Sequence, residues 1–213
     1  MTYADFSIFD VSLAHIGAMC LFAFTMSISP GPVNLIILSS GATNGIRMTL
    51  PFVSGATFGF IALLFLVGIG IAQIVTNTPI LMDVLTLFGV LFLGYVAYGI
   101  AFSKGDLKSE SLQPPNGMKG VLLQWLNPKA WAACIAGVSS FTLDHSLAVL
   151  LLFCGLYGLI CFLSLGLWAV LGRTAGQLLD QGKRLVIFNR MLAGLLVVLI
   201  VFLLSEVNVE TYL

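Results

Sequence analysis

One apolar stretch of this sequence holds a cation and a proline side by side, in Asn127-Pro128-Lys129. Another is interrupted by Ser29-Pro30-Gly31-Pro32-Val33-Asn34. Proline removes a backbone donor and clashes with the carbonyl one turn back, so a helix must kink or unwind at each place. In hydrocarbon the freed backbone groups find no water, and such breaks persist only where protein buries them or they line a cavity. A charge at mid-membrane costs about 2.5–3.5 kcal/mol or more, and Lys129 lies about 11 residues from either end of its stretch, too far to snorkel. It either faces an aqueous cavity, binding a carboxylate or titrating during transport, or hydrogen-bonds the carbonyls that Pro128 or Pro32 releases. The amides of Asn34 and Asn127 both donate and accept. They suit the ammonium and carboxylate of a zwitterion, and equally the capping of broken helices. A half-helix starting at Pro32 would present its N-terminus to an anion, which places a carboxylate between that terminus and Lys129. The expected binding set is therefore Pro30, Gly31, Pro32, Asn34, Asn127, Pro128 and Lys129.

Other polar residues carry less. Asp83, about one turn inside its span, is a candidate with Lys129 for coupling to an ion, though a wet interfacial carboxylate explains it as well. His15 and His145 lie near the same surface, where a lone histidine is usually structural. Trp125 and Trp131 flank the second break as cavity wall or as ordinary packing. Gly55-x-x-x-Gly59, with Ser54, Ala56 and Thr57, predicts close helix packing. Cys20, Cys134, Cys154 and Cys161 show neither a CxxC pair nor metal spacing and read as small buried hydrophobes. No metal or cofactor is expected.

The elements that must position these groups follow from composition. The chain has 213 residues, 59% apolar and 8% charged, with a mean hydropathy of +1.08. Soluble domains carry about 25% charged residues, so this is an integral membrane protein. The formal net charge is zero, which points away from a nucleic-acid partner. The N-terminus carries Asp5 and Asp10 where a cleavable signal needs positive charge. Spans need about 20 apolar residues, and six are read, over 14–40, 48–75, 79–102, 118–141, 147–171 and 190–205. With this count, every lysine and arginine except Lys129 falls on one side, with Arg47, Lys104, Lys108, Lys119, Arg173, Lys183, Arg184 and Arg190. That side is cytoplasmic by the positive-inside rule, and both termini face outward. The chain divides into a three-helix half (1–102), a polar cytoplasmic linker (103–117) containing Pro114-Pro115, and a second half (118–213). Three spans per half give an inverted repeat, with both breaks ~15–18 Å deep, near the midplane. The connection over 172–189 is read either as a short surface helix or as a plain loop. The fold class is thus all-α, with six transmembrane helices in two inverted halves and with the first and fourth helices broken.

Ser29-Pro30-Gly31-Pro32-Val33-Asn34, Gly45-Ile46-Arg47 and the pair Gly55 and Gly59 resemble the first signature of the LysE/RhtB amino-acid exporter family. Gly120 with Asn127-Pro128-Lys129-Ala130 resembles the second, in the expected order, over nearly the whole chain. Leu38-Ser39-Ser40 is similar to the cysteine and O-acetylserine exporter branch. The resemblance implies efflux of small amino acids from the cytoplasm across a bacterial-type inner membrane, by proton antiport. One departure stands out: where the family often has asparagine after Pro-Gly-Pro, this chain has Val33. The last three spans also lack a central acidic residue, which leaves the proton carrier unassigned.

The reading is therefore a secondary transporter with alternating access about the two breaks. Its partners are a small zwitterionic amino acid and the bilayer, with a homodimer left open. A channel or metal-ion exporter on the same fold is the alternative, weakened by the lack of His/Cys/carboxylate clusters and oxygen rings. An intramembrane enzyme is not expected, since neither a nucleophile with its base nor HExxH is present.

Overall fold

The structure, a computed structural model, describes residues 11–71, 79–102, 116–142, 147–179 and 183–205. These residues are all helical apart from short connections. The helices are α1 (Leu13–Ile28), α2 (Pro32–Asn44), α3 (Ile46–Leu66, continued by a π-turn over Val67–Ile71), α4 (Pro79–Ala101), α5 (Gly117–Trp125), α6 (Pro128–Phe141), α7 (Leu147–Leu178) and α8 (Lys183–Ser205). Among the described residues, the three helices Ile46–Gly70, Leu147–Leu178 and Lys183–Ser205 are long and apolar enough to cross a bilayer. The pair α1 and α2, bent by 61° at its break, makes a fourth candidate if it is one span. Large apolar side chains such as Leu21, Phe58, Leu91, Leu159, Leu195, Val198 and Phe202 are exposed, which is the composition of a lipid-facing surface.

Local chemistry sets the helix ends. Ser12 caps α1 by accepting from the His15 backbone N–H at 3.2 Å. Asn116 does the same for α5 through Lys119, and Asn127 for α6 through Lys129. Pro32 and Pro128 each open a helix at a first-turn position, where a missing N–H costs nothing. Gly45, at φ 77°, alone turns α2 into α3, a conformation that L side chains rarely adopt.

Small residues let the helices approach backbone to backbone. In α3, Gly55 and Gly59 face the backbone of Gly117 and Val121 in α5, and Gly120 faces Phe52 in return. The close packing expected of the Gly55 and Gly59 pair is therefore present. In α7, Gly172 and Gly176 lie against the backbone of Leu38 and Ala42 in α2, while Gly41 lies against Ala169. α4 packs on α8, and α7 also packs on α1 and α3. The core between them includes Met19, Ile37, Phe52, Leu63, Phe153, Tyr157 and Leu196.

Two expected connections are helical instead. Among the described residues of the stretch over 172–189, read as a short surface helix or a plain loop, α7 instead continues to Leu178 and α8 begins at Lys183. The physical reason is the contact of Gly172 and Gly176 with α2, which extends the packed interface beyond the apolar run. Likewise α2 runs through Asn44 rather than ending at Ser40, because Gly41 and Ala42 belong to that same interface. Residues 103–115 of the expected linker over 103–117, the segment 72–78 and both chain ends lie outside the described residues, while Asn116 and Gly117 cap and open α5.

Candidate functional site

The two proline breaks meet. The Lys129 side chain, half-buried on the first turn of α6, reaches across to the unwound segment between α1 and α2. Its Nζ donates to Ser29 Oγ at 2.7 Å, to the Ser29 carbonyl at 3.0 Å and to the Pro30 carbonyl at 3.4 Å. An ammonium has three donors, and these contacts engage all of them. Trp168 of α7 donates from Nε1 to the Ile28 carbonyl at 3.1 Å. The Ile28 carbonyl that ends α1, which no intrahelical donor can reach, and the Ser29 and Pro30 carbonyls after it are thus satisfied by side chains from the second half of the chain.

Across the break, Asn34 Nδ2 donates to the Ser27 carbonyl at 2.9 Å, tying the first turn of α2 back to α1. Gly31 precedes α2 with extended backbone and supplies no side-chain cap, so the first α2 donors, Val33 and Asn34 N–H, receive no side-chain partner from it. A Cβ at Gly31 would stand 3.3 Å from Lys129 Nζ and 3.7 Å from Asn34 Oδ1. Glycine here therefore admits the lysine to the helix terminus.

The second break is closed by its own residues. Asn127 Oδ1 accepts from Lys129 N–H at 3.2 Å, and the Asn127 carbonyl accepts from Ala130 at 2.9 Å and Trp131 at 3.3 Å. Trp131 Nε1 donates to the Trp125 carbonyl at 2.8 Å, and Trp125 Nε1 to the Gly59 carbonyl at 3.1 Å. Both tryptophans are helix braces, and neither lines the cavity described next.

Between the breaks lies a cavity of about 40 Å³, room for a few waters. Gly31, Pro32, Asn34, Asn127 and Lys129 line it. Pro30 enters through its carbonyl on Lys129, and Pro128 acts by opening α6. Val33 adds an apolar side, buried at 3% exposure. Asp83 stands on α4, but its side chain lies outside the described residues, as does His145. His15 pairs by Nε2 with the Phe141 carbonyl at 3.3 Å and edge-on with the Phe141 ring, which accounts for it structurally.

Ser27, Gln124, Tyr157, Cys161 (expected only as a small buried hydrophobe) and Trp168 were not among the expected site residues. The first four also line the cavity, and the last closes α1. Their signal in the sequence is faint: a serine or cysteine in an apolar helix reads as packing. Tyr157 and Cys161 stand one turn apart on α7, and that spacing alone could have placed them on one face.

The model of the LysE type translocator family matches residues 24–207. The cysteine/O-acetylserine efflux protein of Klebsiella pneumoniae subsp. pneumoniae is 29% identical over 191 residues, covering 85% of this chain and 93% of the relative. The proteins of the same description from Escherichia coli (strain K12) and Shigella sonnei are each 28% identical over 192 residues, covering 85% of this chain and 93% of each relative. No solved structure matches.

Proposed function

The chain belongs to the LysE type translocator family, and on that premise we propose that it exports a small amino acid of the cysteine/O-acetylserine kind from the cytoplasm. The observation that carries this reading is the convergence of Lys129, the uncapped α2 N-terminus and the Asn34 and Asn127 amides on one cavity. A carboxylate placed at the α2 N-terminus gains the helix dipole and its first N–H groups and competes for Lys129. Because the Lys129 donors are already engaged on Ser29 and Pro30, the carboxylate must displace at least one of those bonds. The carbonyl so released is an acceptor for the substrate ammonium. Binding then trades one set of charge-assisted bonds for another and loosens the α1–α2 bend in doing so. This coupling supports alternating access about the two breaks. The cavity in this conformation is smaller than an amino acid and must widen to load.

In this reading α1/α2, α3, α4, α5/α6, α7 and α8 form six spans in two inverted halves, joined by the cytoplasmic stretch over 103–115. The protein sits in an inner membrane with both termini outside. Export is driven by proton antiport, with Lys129 or Asp83 as carrier. Counterflow in proteoliposomes tests the whole. Vesicles loaded with unlabelled cysteine or O-acetylserine should take up the labelled compound, and a pH gradient should change the rate. Absence of exchange with these and with threonine, homoserine, leucine, lysine and arginine, by demonstrably folded protein, would overturn the exporter reading. Exchange insensitive to the pH gradient would overturn the proton coupling alone.

A further inference from the structure

Two buried hydroxyl groups among the described residues have no hydrogen-bond partner, Ser27 Oγ and Thr57 Oγ1. Their residues are 8% and 7% exposed. They belong to different helices, α1 and α3, and both neighbour the Cys161 thiol of α7. Ser27 also neighbours the hydroxyl of Tyr157, which is 1% exposed and whose ring lies 4.4 Å from that of Phe60. Ser27, Phe60, Tyr157 and Cys161 all line the cavity that holds Lys129, and Thr57 neighbours the thiol. Native interiors pair nearly all buried polar side-chain groups, and an orphan usually marks a water, an ion or a functional role. Asn34 and Asn127 beside the breaks clamp or cap, and Ser29 accepts from Lys129. The Ser27 and Thr57 hydroxyls have no such use.

We infer that Ser27, Tyr157 and Cys161, backed by Thr57, form the subsite that reads the substrate's side chain and selects one bearing a hydrogen-bonding sulfur or oxygen. This rests on the exporter reading above, since it requires the amino and carboxylate groups to occupy the Lys129 side of the same cavity. The chemistry fits a short side chain. A hydroxyl both donates and accepts, so Ser27 and Tyr157 can accept a hydrogen bond from a thiol S–H or donate one to an ester carbonyl. Phe60 and Leu165 surround the remaining atoms with apolar surface. An analogue carrying a methyl in place of the thiol would leave the Ser27 hydroxyl unpaired, as it now is. A site built to hydrogen-bond a group rejects the analogue that lacks it more strongly than a purely apolar pocket does.

The test is competition in the counterflow assay. Exchange of labelled cysteine is inhibited by unlabelled cysteine or by 2-aminobutyrate, which replaces the thiol by methyl, in the wild type, Ser27→Ala and Tyr157→Phe. The wild type should prefer cysteine, and each variant should narrow that preference by about tenfold. A wild-type preference that persists unchanged in both variants would overturn the subsite while leaving the exporter reading intact. Failure of the wild type to exchange cysteine, O-acetylserine or any other amino acid would remove both. Thermal denaturation of Ser27→Ala in detergent is the second measurement. A hydroxyl that satisfies nothing in the empty protein leaves its melting temperature equal or higher, and a clear fall would show a structural role and sink the assignment.

Discussion

At Asn127-Pro128 the chain satisfies itself within a few residues, whereas at Ser29-Pro30-Gly31 it depends on side chains from the other half. Asn127 caps its own helix, and its carbonyl takes the next two donors. The carbonyls of Ile28, Ser29 and Pro30 are met instead by Trp168 and Lys129, at least 99 positions away in sequence. A locally closed break is rigid whatever its neighbours do. A break held from across the molecule can be released when a ligand competes for the holder. In the proposed mechanism the first break is therefore the movable one, and the second is the fixed platform from which Lys129 works.

Substitution of the holder should have the largest effect. Lys129→Ala removes charge-assisted bonds worth about 1.5–3 kcal/mol each, so exchange should fall about 100-fold or to background while membrane insertion persists. Counterflow normalised to folded protein checks this, and a normal rate would deny the lysine both binding and coupling. Next comes Asn34→Ala, which leaves the buried Ser27 carbonyl without its amide donor and frees the bend. A loss of about 1–3 kcal/mol should appear as a lower melting temperature together with about tenfold slower exchange. Asn127→Ala should cost about 1 kcal/mol of helix-cap stability, and Asn127→Ser, which keeps a capping oxygen, should restore the melting temperature. If Asn127→Ser recovers stability but not exchange, the platform also binds substrate and the contrast between the breaks weakens. The smallest effect is expected from Trp168→Phe, which gives up one neutral hydrogen bond worth about 0.5–1.5 kcal/mol and keeps most of the packing. Its exchange rate should change less than twofold, measured beside the wild type.

The helix packing adds one prediction independent of the site. Gly55→Val would drive a side chain into the Gly117 backbone and should abolish accumulation of folded protein. Gly155→Ala, where nothing stands within 4 Å, should be tolerated. Size-exclusion profiles of the two variants decide it.

Much of the candidate site was legible because its signals are local. Proline at 30, 32 and 128 forces helix ends by covalent geometry, and asparagine at 127 caps because its amide reaches only a residue or two. Gly55 and Gly59 announce close packing by what they lack. The continuation of α7 to Leu178 was not legible, because the residues beyond Leu171 become polar while Gly172 and Gly176 still pack on α2. Nor was the role of Ser27, which reads as one more small residue in an apolar helix until Tyr157 and Cys161 are seen beside it.

The sequence by itself determined that the chain is a membrane protein with two interrupted helices and a lysine beside one interruption, since composition and proline stereochemistry act without reference to distant partners. Tertiary structure alone decided which groups Lys129 would hold, which tryptophans would brace and which would close α1, and which hydroxyls would be left unpaired around the cavity. Those choices depend on how closely α2 and α7, and α3 and α5, can approach. That distance is set where small residues from remote parts of the chain meet backbone to backbone, and no local rule encodes it.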